Sequence, residues 1–303
     1  MITERTSLQI QTVLYENRKD AIKTSFHSVL HSLRLAKKEG LFGDVIFSYG
    51  DSSAKPLFTD SEIAELQEIA GDALRVVYSF FNANLGTAKG HNTLANLTDV
   101  DFHMIMNPDL IYSPRTIHEL TRPFNDPTVG LVEARQVPIE HPKDYNTHTG
   151  ETSWASTACV LFPRSIYTLV DGFDEKTFFL YCDDVDFSWR VRLAGYKIIF
   201  QPSALVFHDK RLSENAGWLP TQSEIYYSAE ASLLMAYKWS RPDLYETIIA
   251  DFEKSSDPVH LSVLEALKQR ISEGRMPQPI DKDHRIATFL DGQYAKHRYN
   301  PHC

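Results

Sequence analysis

The first hundred residues alternate between two hydrophobic periodicities, and that alternation leaves few architectures open. Leu8 to Tyr15 is a short β-prone run. Arg18 to Lys38 has helical spacing, with Ile22, Phe26, Val29, Leu30 and Leu33 on one face. Gly40 stands where a helix stop is expected. Asp44 to Tyr49 then reads as a strand, Ser61 to Ala70 as a helix and Leu74 to Ser79 as a strand. Thr87 to Leu97 follows as a helix and Phe102 to Met106 as a buried strand. This β-α-β-α-β-α-β order predicts an α/β fold, a mainly parallel sheet with helices on both faces. Ligands of such sheets collect beyond the carboxyl ends of the strands, so the residues just after each strand are candidates for a site.

Beyond Thr128 the pattern changes. Val129 to Glu133 reads as a strand, while Arg135 to Ser153 is polar, rich in Pro, His and Thr, and aperiodic. It is expected to be a loop that covers a site. Ala158 to Phe162 resumes as a strand, Arg164 to Val170 and Asp184 to Ala194 as helices, and Lys197 to Phe200 and Ala204 to Phe207 as two short strands. Ile225 to Trp239, Pro242 to Phe252 and Val259 to Glu273 read as helices. We therefore expect a main domain over residues 1–236 and a helical C-terminal extension over 237–303. The extension has apolar positions such as Leu261, Val263, Leu264 and Leu267 beside Lys268 and Arg270. Its expected roles are packing on the main domain, contact with a second subunit, or docking at a membrane surface.

With 303 residues, 43% of them hydrophobic, the chain can bury a large core. A formal charge of −9 argues against nucleic-acid binding, which relies on basic stripes. Cys159, Cys182 and Cys303 show no paired spacing, which suggests a reducing compartment. No apolar run approaches the roughly 20 residues of a bilayer span, and Met1 to Thr6 lacks the pattern of a signal peptide. The expectation is a cytoplasmic protein, with the inner face of the membrane as a candidate location.

The densest chemical signal lies between Gly172 and Arg190. It places Asp183, Asp184 and Asp186 behind an aromatic run where a helix begins. Acids there can cap amides and complement the helix dipole, but three together also suit a site. The fourth strand runs into Asn107-Pro108-Asp109. Pro108 should end the strand and leave Asn107 and Asp109 as hard oxygen ligands for Mg²⁺ or Mn²⁺, although a plain turn would use the same residues. Asp51 follows the second strand, where it could accept from a ribose or base. The stretch Asn84 to Asn92 contains Gly86 and Lys89, which could meet phosphates. His208 ends a short strand and is followed by Asp209, Lys210 and Arg211. A neutral imidazole there would suit Mn²⁺ if Asp109 were near.

Taken in order, Asn84–Asn92, Asn107-Pro-Asp109, Glu151-Thr-Ser-Trp-Ala155, Gly172-Phe-Asp174 and Tyr181-Cys-Asp-Asp-Val-Asp186 resemble the inverting family-2 glycosyltransferases of GT-A fold. They are most similar to the rhamnosyltransferase-like branch, over Leu8 to about Lys210. The resemblance implies a Rossmann-like GT-A domain and a divalent cation (Mg²⁺ or Mn²⁺). It implies a nucleotide-sugar donor, usually dTDP-rhamnose, and a saccharide or lipid-linked saccharide acceptor in bacterial surface polysaccharide synthesis. It assigns Asp184 as catalytic acid, with Asp183 and Asp186 in support. Tyr15, Asp51, Gly86, Lys89, Asn107 and Asp109 fall to donor binding, Trp154 to the acceptor side, and Asp109 and His208 to the metal. This chain departs from the pattern at Asn107, which is neutral, at Asp183, where Glu is commoner, and at Thr157, where Gly is common. The same residues leave other readings open: a UDP-sugar donor such as UDP-galactofuranose or UDP-hexose, a nucleotidyltransferase, or a non-catalytic assembly subunit.

Overall fold

The computed structural model describes residues 2–138, 144–208 and 220–290. The expected alternation is present: β1 (Leu8–Leu14), α1 (Lys19–Lys38), β2 (Val45–Asp51), α2 (Asp60–Ala70), β3 (Arg75–Phe80), α3 (Gly86–Ala95) and β4 (Phe102–Met106). The α1 residues Ile22, Phe26, Val29, Leu30 and Leu33 are all buried against the sheet. Gly40, at φ +78, ends this helix in a left-handed turn, and Leu41 N–H reaches back to Ala36 C=O at 3.1 Å. Thr59 starts α2 with a reciprocal capping box to Glu62.

The second half comprises β5 (Leu110–Tyr112), α4 (Thr116–Thr121), β6 (Val129–Val137), β7 (Glu151–Thr152), β8 (Cys159–Pro163), α5 (Arg164–Leu169), α6 (Asp183–Leu193) and β9 (Lys197–His208). The helices α7 (Gln222–Lys238), α8 (Pro242–Lys254) and α9 (Pro258–Ser272) follow. The described strands form one sheet in the order β3-β2-β1-β4-β8-β6-β9-β5, with β7 on β9. It is parallel from β3 through β4. At β8, which pairs antiparallel with both β4 and β6, the direction reverses, and beyond it the sheet is mixed.

Several elements differ from the sequence reading. The two short strands expected at 197–200 and 204–207 are one strand, β9. Against β6 its pairing jumps from Ala134↔Gln201 to Arg135↔Leu205, so residues 202–204 are a bulge. Pro202 interrupts the ladder there, which is why sequence alone splits the strand. β5 and α4 are too short to show a period and were not anticipated. The loop expected from Arg135 is shortened at both ends, by β6 reaching Val137 and by β7, while residues 139–143 lie outside the described ones. The division placed between residues 236 and 237 falls inside α7, which packs with α8 and α9. Residues 291–303, the end of the expected extension, lie outside the described set.

The largest core cluster joins α1 to the sheet through rings. Phe47 of β2, 1% exposed, meets Phe26 edge-on at 5.4 Å and Tyr49 at 4.8 Å. Phe47→Ala removes a ring that the surrounding strands cannot collapse onto. We expect a loss of about 3–5 kcal/mol of unfolding free energy, read as a lower guanidinium midpoint with an unchanged slope.

Candidate active site

The three acids of the densest motif all fall in the first turn of α6 and are buried. They are not simple caps. The N-cap is Cys182, which makes no side-chain cap bond, and both Tyr181 (φ 67) and Cys182 (φ 58) are left-handed. Two consecutive non-glycine residues in that region cost on the order of 1–3 kcal/mol each, a cost sustained where surroundings fix the backbone. Each acid has a distinct setting. Asp183 accepts from Thr87 Oγ1 at 2.8 Å, at the start of α3. Asp184 Oδ1 accepts from the Val185 amide at 2.9 Å. Asp186, 0% exposed, accepts from Arg190 Nε at 2.8 Å and from Trp239 Nε1 at 3.1 Å, and Lys238 Nζ lies 2.7 Å from it. Asp186 therefore anchors α6 to α7, while Asp184 remains at the helix N-terminus, where the dipole favours a carboxylate.

Asn107, Asp109 and His208 are brought together although 101 residues separate the first from the last. His208 Nε2 is 3.4 Å from Asn107 Nδ2 and 3.5 Å from Asp109 Oδ1. The register Leu110↔His208 between β5 and β9 produces this meeting, so the unanticipated β5 is what delivers His208. On its other side, Nδ1 is 2.7 Å from Gln136 Oε1 of β6. A carbonyl oxygen can only accept, so Nδ1 carries a proton, and Nε2 is the ring nitrogen that faces Asn107 and Asp109.

A strap from Trp154 to Ala158 connects these two groups. Asn107 N–H donates to Ala158 C=O at 2.8 Å, Ser156 N–H to Glu133 Oε1 at 3.0 Å, and Ala155 N–H to Ser188 Oγ of α6 at 3.0 Å. Trp154 itself is 3% exposed and packs in a core cluster with Cys182, Val185, Trp189 and Trp239. Ala155, Ser156 and Ala158 are likewise buried.

Beyond the carboxyl ends of β1 and β2 lies an open cleft of about 460 Å³, lined by Glu16, Asn17, Lys19, Ser53, Lys55 and Leu57 among others. Tyr15, at its edge, is 55% exposed, and Lys89 is exposed on α3. Asp51 is 0% exposed. Its oxygens accept from the Ser53 amide at 2.9 Å, the Leu57 amide at 2.7 Å and the Tyr78 hydroxyl. Burial, then the Asp51 contact, push the Tyr78 hydroxyl up to about 12. Asp51 consequently shapes the cleft wall from within. Gly86 begins α3 at φ +69, and a Cβ there would stand 2.2 Å from Phe179 C=O. Only glycine lets α3 approach the segment that leads into α6. The Thr87 amide completes the contact, donating to the same carbonyl at 3.0 Å.

Sequence reasoning passed over Thr87, Gln136, Ser188 and Lys238, which hold the named residues in place. Each is an ordinary residue in a helix or strand pattern, and only its partner, far away in the chain, gives it meaning. Aromatic contacts add Tyr227 of α7, tilted 33° against Phe179 with centroids 4.9 Å apart.

No protein-family model matches the chain. The N-acetylglucosaminyl-diphospho-decaprenol L-rhamnosyltransferase of Mycobacterium tuberculosis is 35% identical over 97 residues, 31% of this chain and 28% of that protein. The pre-mycofactocin glycosyltransferase of the same organism is 27% identical over 168 residues, 49% of this chain and 35% of that protein. The matched stretches thus span about a third of these relatives' lengths. Among solved structures, a mannosyltransferase from Pyrobaculum calidifontis, in complex with GDP-Man and Mn²⁺, superposes with a TM-score of 0.54 at 15% identity. The superposition covers 91% of this chain and 84% of that one. The fold is that of the GT-A glycosyltransferases, and the sequence relatives are glycosyltransferases, one of them a rhamnosyltransferase.

Asp174, at the start of the segment leading into α6, gives a pH test. Burial alone would raise its pKa. The Lys238 ammonium and the Thr177 contacts outweigh burial and hold the pKa below its usual 3.8. A carboxyl with a depressed folded pKa adds stability above its unfolded value and loses it as pH falls through the folded value. The stability gap between the parental chain and Asp174→Asn should therefore be open at pH 7 and close progressively below 3.8. Urea melts at several pH values would measure it, and a gap independent of pH would contradict the assignment.

Proposed function

We propose that this GT-A-fold chain is an inverting glycosyltransferase that moves a sugar, by our reading rhamnose from dTDP-rhamnose, onto a saccharide or lipid-linked saccharide acceptor. The observation that carries the reading is the convergence of Asn107, Asp109 and His208 at the sheet's carboxyl edge, bridged by one strap to the acidic start of α6. The rhamnosyltransferase relative supports the sugar and the kind of acceptor, since its name pairs L-rhamnosyl transfer with an N-acetylglucosaminyl-diphospho-decaprenol.

The donor set suits a divalent cation. Asp109 offers a carboxylate and His208 an Nε2 lone pair fixed by Gln136. The Asn107 amide, turned over, presents its oxygen. Among the described residues no group of three or more His, Cys, Asp or Glu could hold a metal ion. Two protein ligands and an amide leave open coordination positions that donor phosphates fit, so cation and donor are expected to bind together. When bound, the cation supplies charge neutralisation on the departing diphosphate.

Inversion is a single displacement. The acceptor hydroxyl attacks the anomeric carbon, the bond from that carbon to the diphosphate oxygen breaks, and the hydroxyl proton goes to a base. Asp184 is the proposed base, held at a helix start by Thr87 on Asp183 and by Lys238 and Trp239 on Asp186. The cleft beside Tyr15, framed by the loop that Asp51 holds, is the proposed seat of the nucleotide. Lys89, exposed on α3, is the proposed phosphate contact. Among the described residues no helix is long and apolar enough to cross a membrane.

Asp184→Asn should keep its thermal-shift response to donor and cation and lose transfer by about 10²–10⁴-fold, the range of general-base contributions. Transfer at the parental rate would remove Asp184 from this role. A thermal-shift panel of dTDP-, UDP- and GDP-sugars with Mn²⁺ and Mg²⁺ tests the donor. Stabilisation by dTDP-rhamnose with either cation is expected, and a response to UDP-sugars alone would replace the rhamnose assignment. Release of pyrophosphate from a triphosphate, instead of a nucleoside diphosphate from a nucleotide sugar, would mark a nucleotidyltransferase.

A further inference from the structure

The Lys238 side chain is 7% exposed and lies in the last turn of α7. Its ammonium is 2.7 Å from Asp174 Oδ2 and 2.7 Å from Asp186 Oδ1, and 5.5 Å from the centre of the Phe178 ring. Asp174 and Asp186 are the two ends of the segment that contains Phe178, Phe179, the left-handed Tyr181 and Cys182, and both Asp183 and Asp184. We propose that Lys238 is a positioning residue, a staple that closes this segment at its base and so fixes the direction of the α6 start. Its catalytic consequence rests on the transferase reading above, whereas the staple itself does not.

Three features separate the staple from an incidental ion pair. First, its geometry is bridging: one ammonium joins two carboxylates from different turns, and a buried lysine with two such partners has no free rotamer. Second, local charge is balanced. Lys238 and Arg190 face Asp174 and Asp186, so removing Lys238 leaves one cation for two carboxylates, of which Asp186 is fully buried and Asp174 half-buried. Third, the staple is itself held. Ile280 N–H donates to Lys238 C=O at 2.7 Å, Ser240 Oγ to Ile280 C=O at 2.7 Å, and Trp239 Nε1 shares Asp186 Oδ1. The far side of the segment is tied at Thr87, through Phe179 C=O and Asp183. Between these two ties lie the strained residues, and Lys238 is the C-terminal side chain that joins both ends of their segment.

Lys238→Met keeps the apolar stem and removes the charge. In hydrogen–deuterium exchange, residues 177–186 should then exchange about tenfold faster or more, while amides of β1, β2 and β4 stay at parental rates. In transfer assays well below the melting temperature, kcat should fall about 10²-fold, the scale of a 1 Å misplacement, with donor KM within about 3-fold of parental. Lys238→Arg should recover much of kcat, and the charge-balanced double variant K238M with D174N should remain slow. Parental exchange across 177–186 in Lys238→Met would overturn the staple. Recovery of kcat in the double variant would replace it with charge compensation alone. Should Lys238→Met fail to fold, Asp174→Asn, which cuts one arm, must still raise exchange in the same segment, and parental exchange there would overturn the proposal. A parental chain that transfers no sugar from any nucleotide sugar defeats the functional reading, and the exchange data then decide the staple independently.

Discussion

A carboxylate that water does not reach must be neutralised within the protein, and Asp186 imposes that requirement on everything around it. Its effective desolvation cost is several kcal/mol unless cations and donors sit against it. Arg190 meets it from one turn along α6, but Lys238 and Trp239 come from α7, some fifty positions further on. The charge therefore obliges α7 to dock on α6. That docking buries Trp189 against Trp239, edge-on at 5.2 Å, in the cluster that also holds Trp154 and Cys182. The helices after residue 221 are thus part of the architecture of the acidic motif, and the chemistry-poor sequence of that region conceals its structural connection to it.

The sheet supplies the second half of the arrangement. Parallel strands β3, β2, β1 and β4 place their carboxyl ends at one edge, where the cleft and Asn107 lie. Reversal at β8 then allows β6 and β9 to run toward that same edge, so that β9 ends in His208 beside β6's Gln136. The bulge at residues 202–204 matters here. By absorbing three extra residues on β9 it sets the register in which Val206 and Phe207 pair with Gln136 and Val137, and with it the reach of His208 to the Asn107-Asp109 turn. A continuous register would have displaced the imidazole by about 10 Å along the strand.

The elements readable from sequence are those whose information is local. The apolar face of α1, the Gly40 stop and the strand-ending Pro108 are decided within a few residues, and each was anticipated. The acidic start of α6 and the Asn107-Asp109 turn were also visible as motifs. What escaped is relational. β5 has three residues and no period, yet its pairing with β9 sets His208 opposite Leu110, next to Asp109. Lys238 looks like one more solvated lysine at a helix end, where a cation suits the dipole, until Asp174 and Asp186 are seen to lie 2.7 Å away. Trp154 and Asp51 show the converse. Motif position assigns them to ligand contact, while burial puts both behind the surface, one in a core and one inside a loop.

The left-handed pair Tyr181-Cys182 explains why such support is present. Glycine would adopt these angles without strain, but it would also leave the approach to α6 free to sample other directions. Side chains at both positions narrow that freedom, and the buried Cys182 plugs the chain into the cluster around Trp189. The strain has to be offset by contacts that hold only in this geometry. Thr87 supplies them on the α3 side, where Gly86 permits the close approach, and α7 supplies them on the other. Asp184, at the second position of the helix, thus lies between Asp183, tied to Thr87, and Asp186, tied to Lys238 and Trp239. If Asp184 is the base proposed above, that restriction of direction would matter more than any gain in local helix stability.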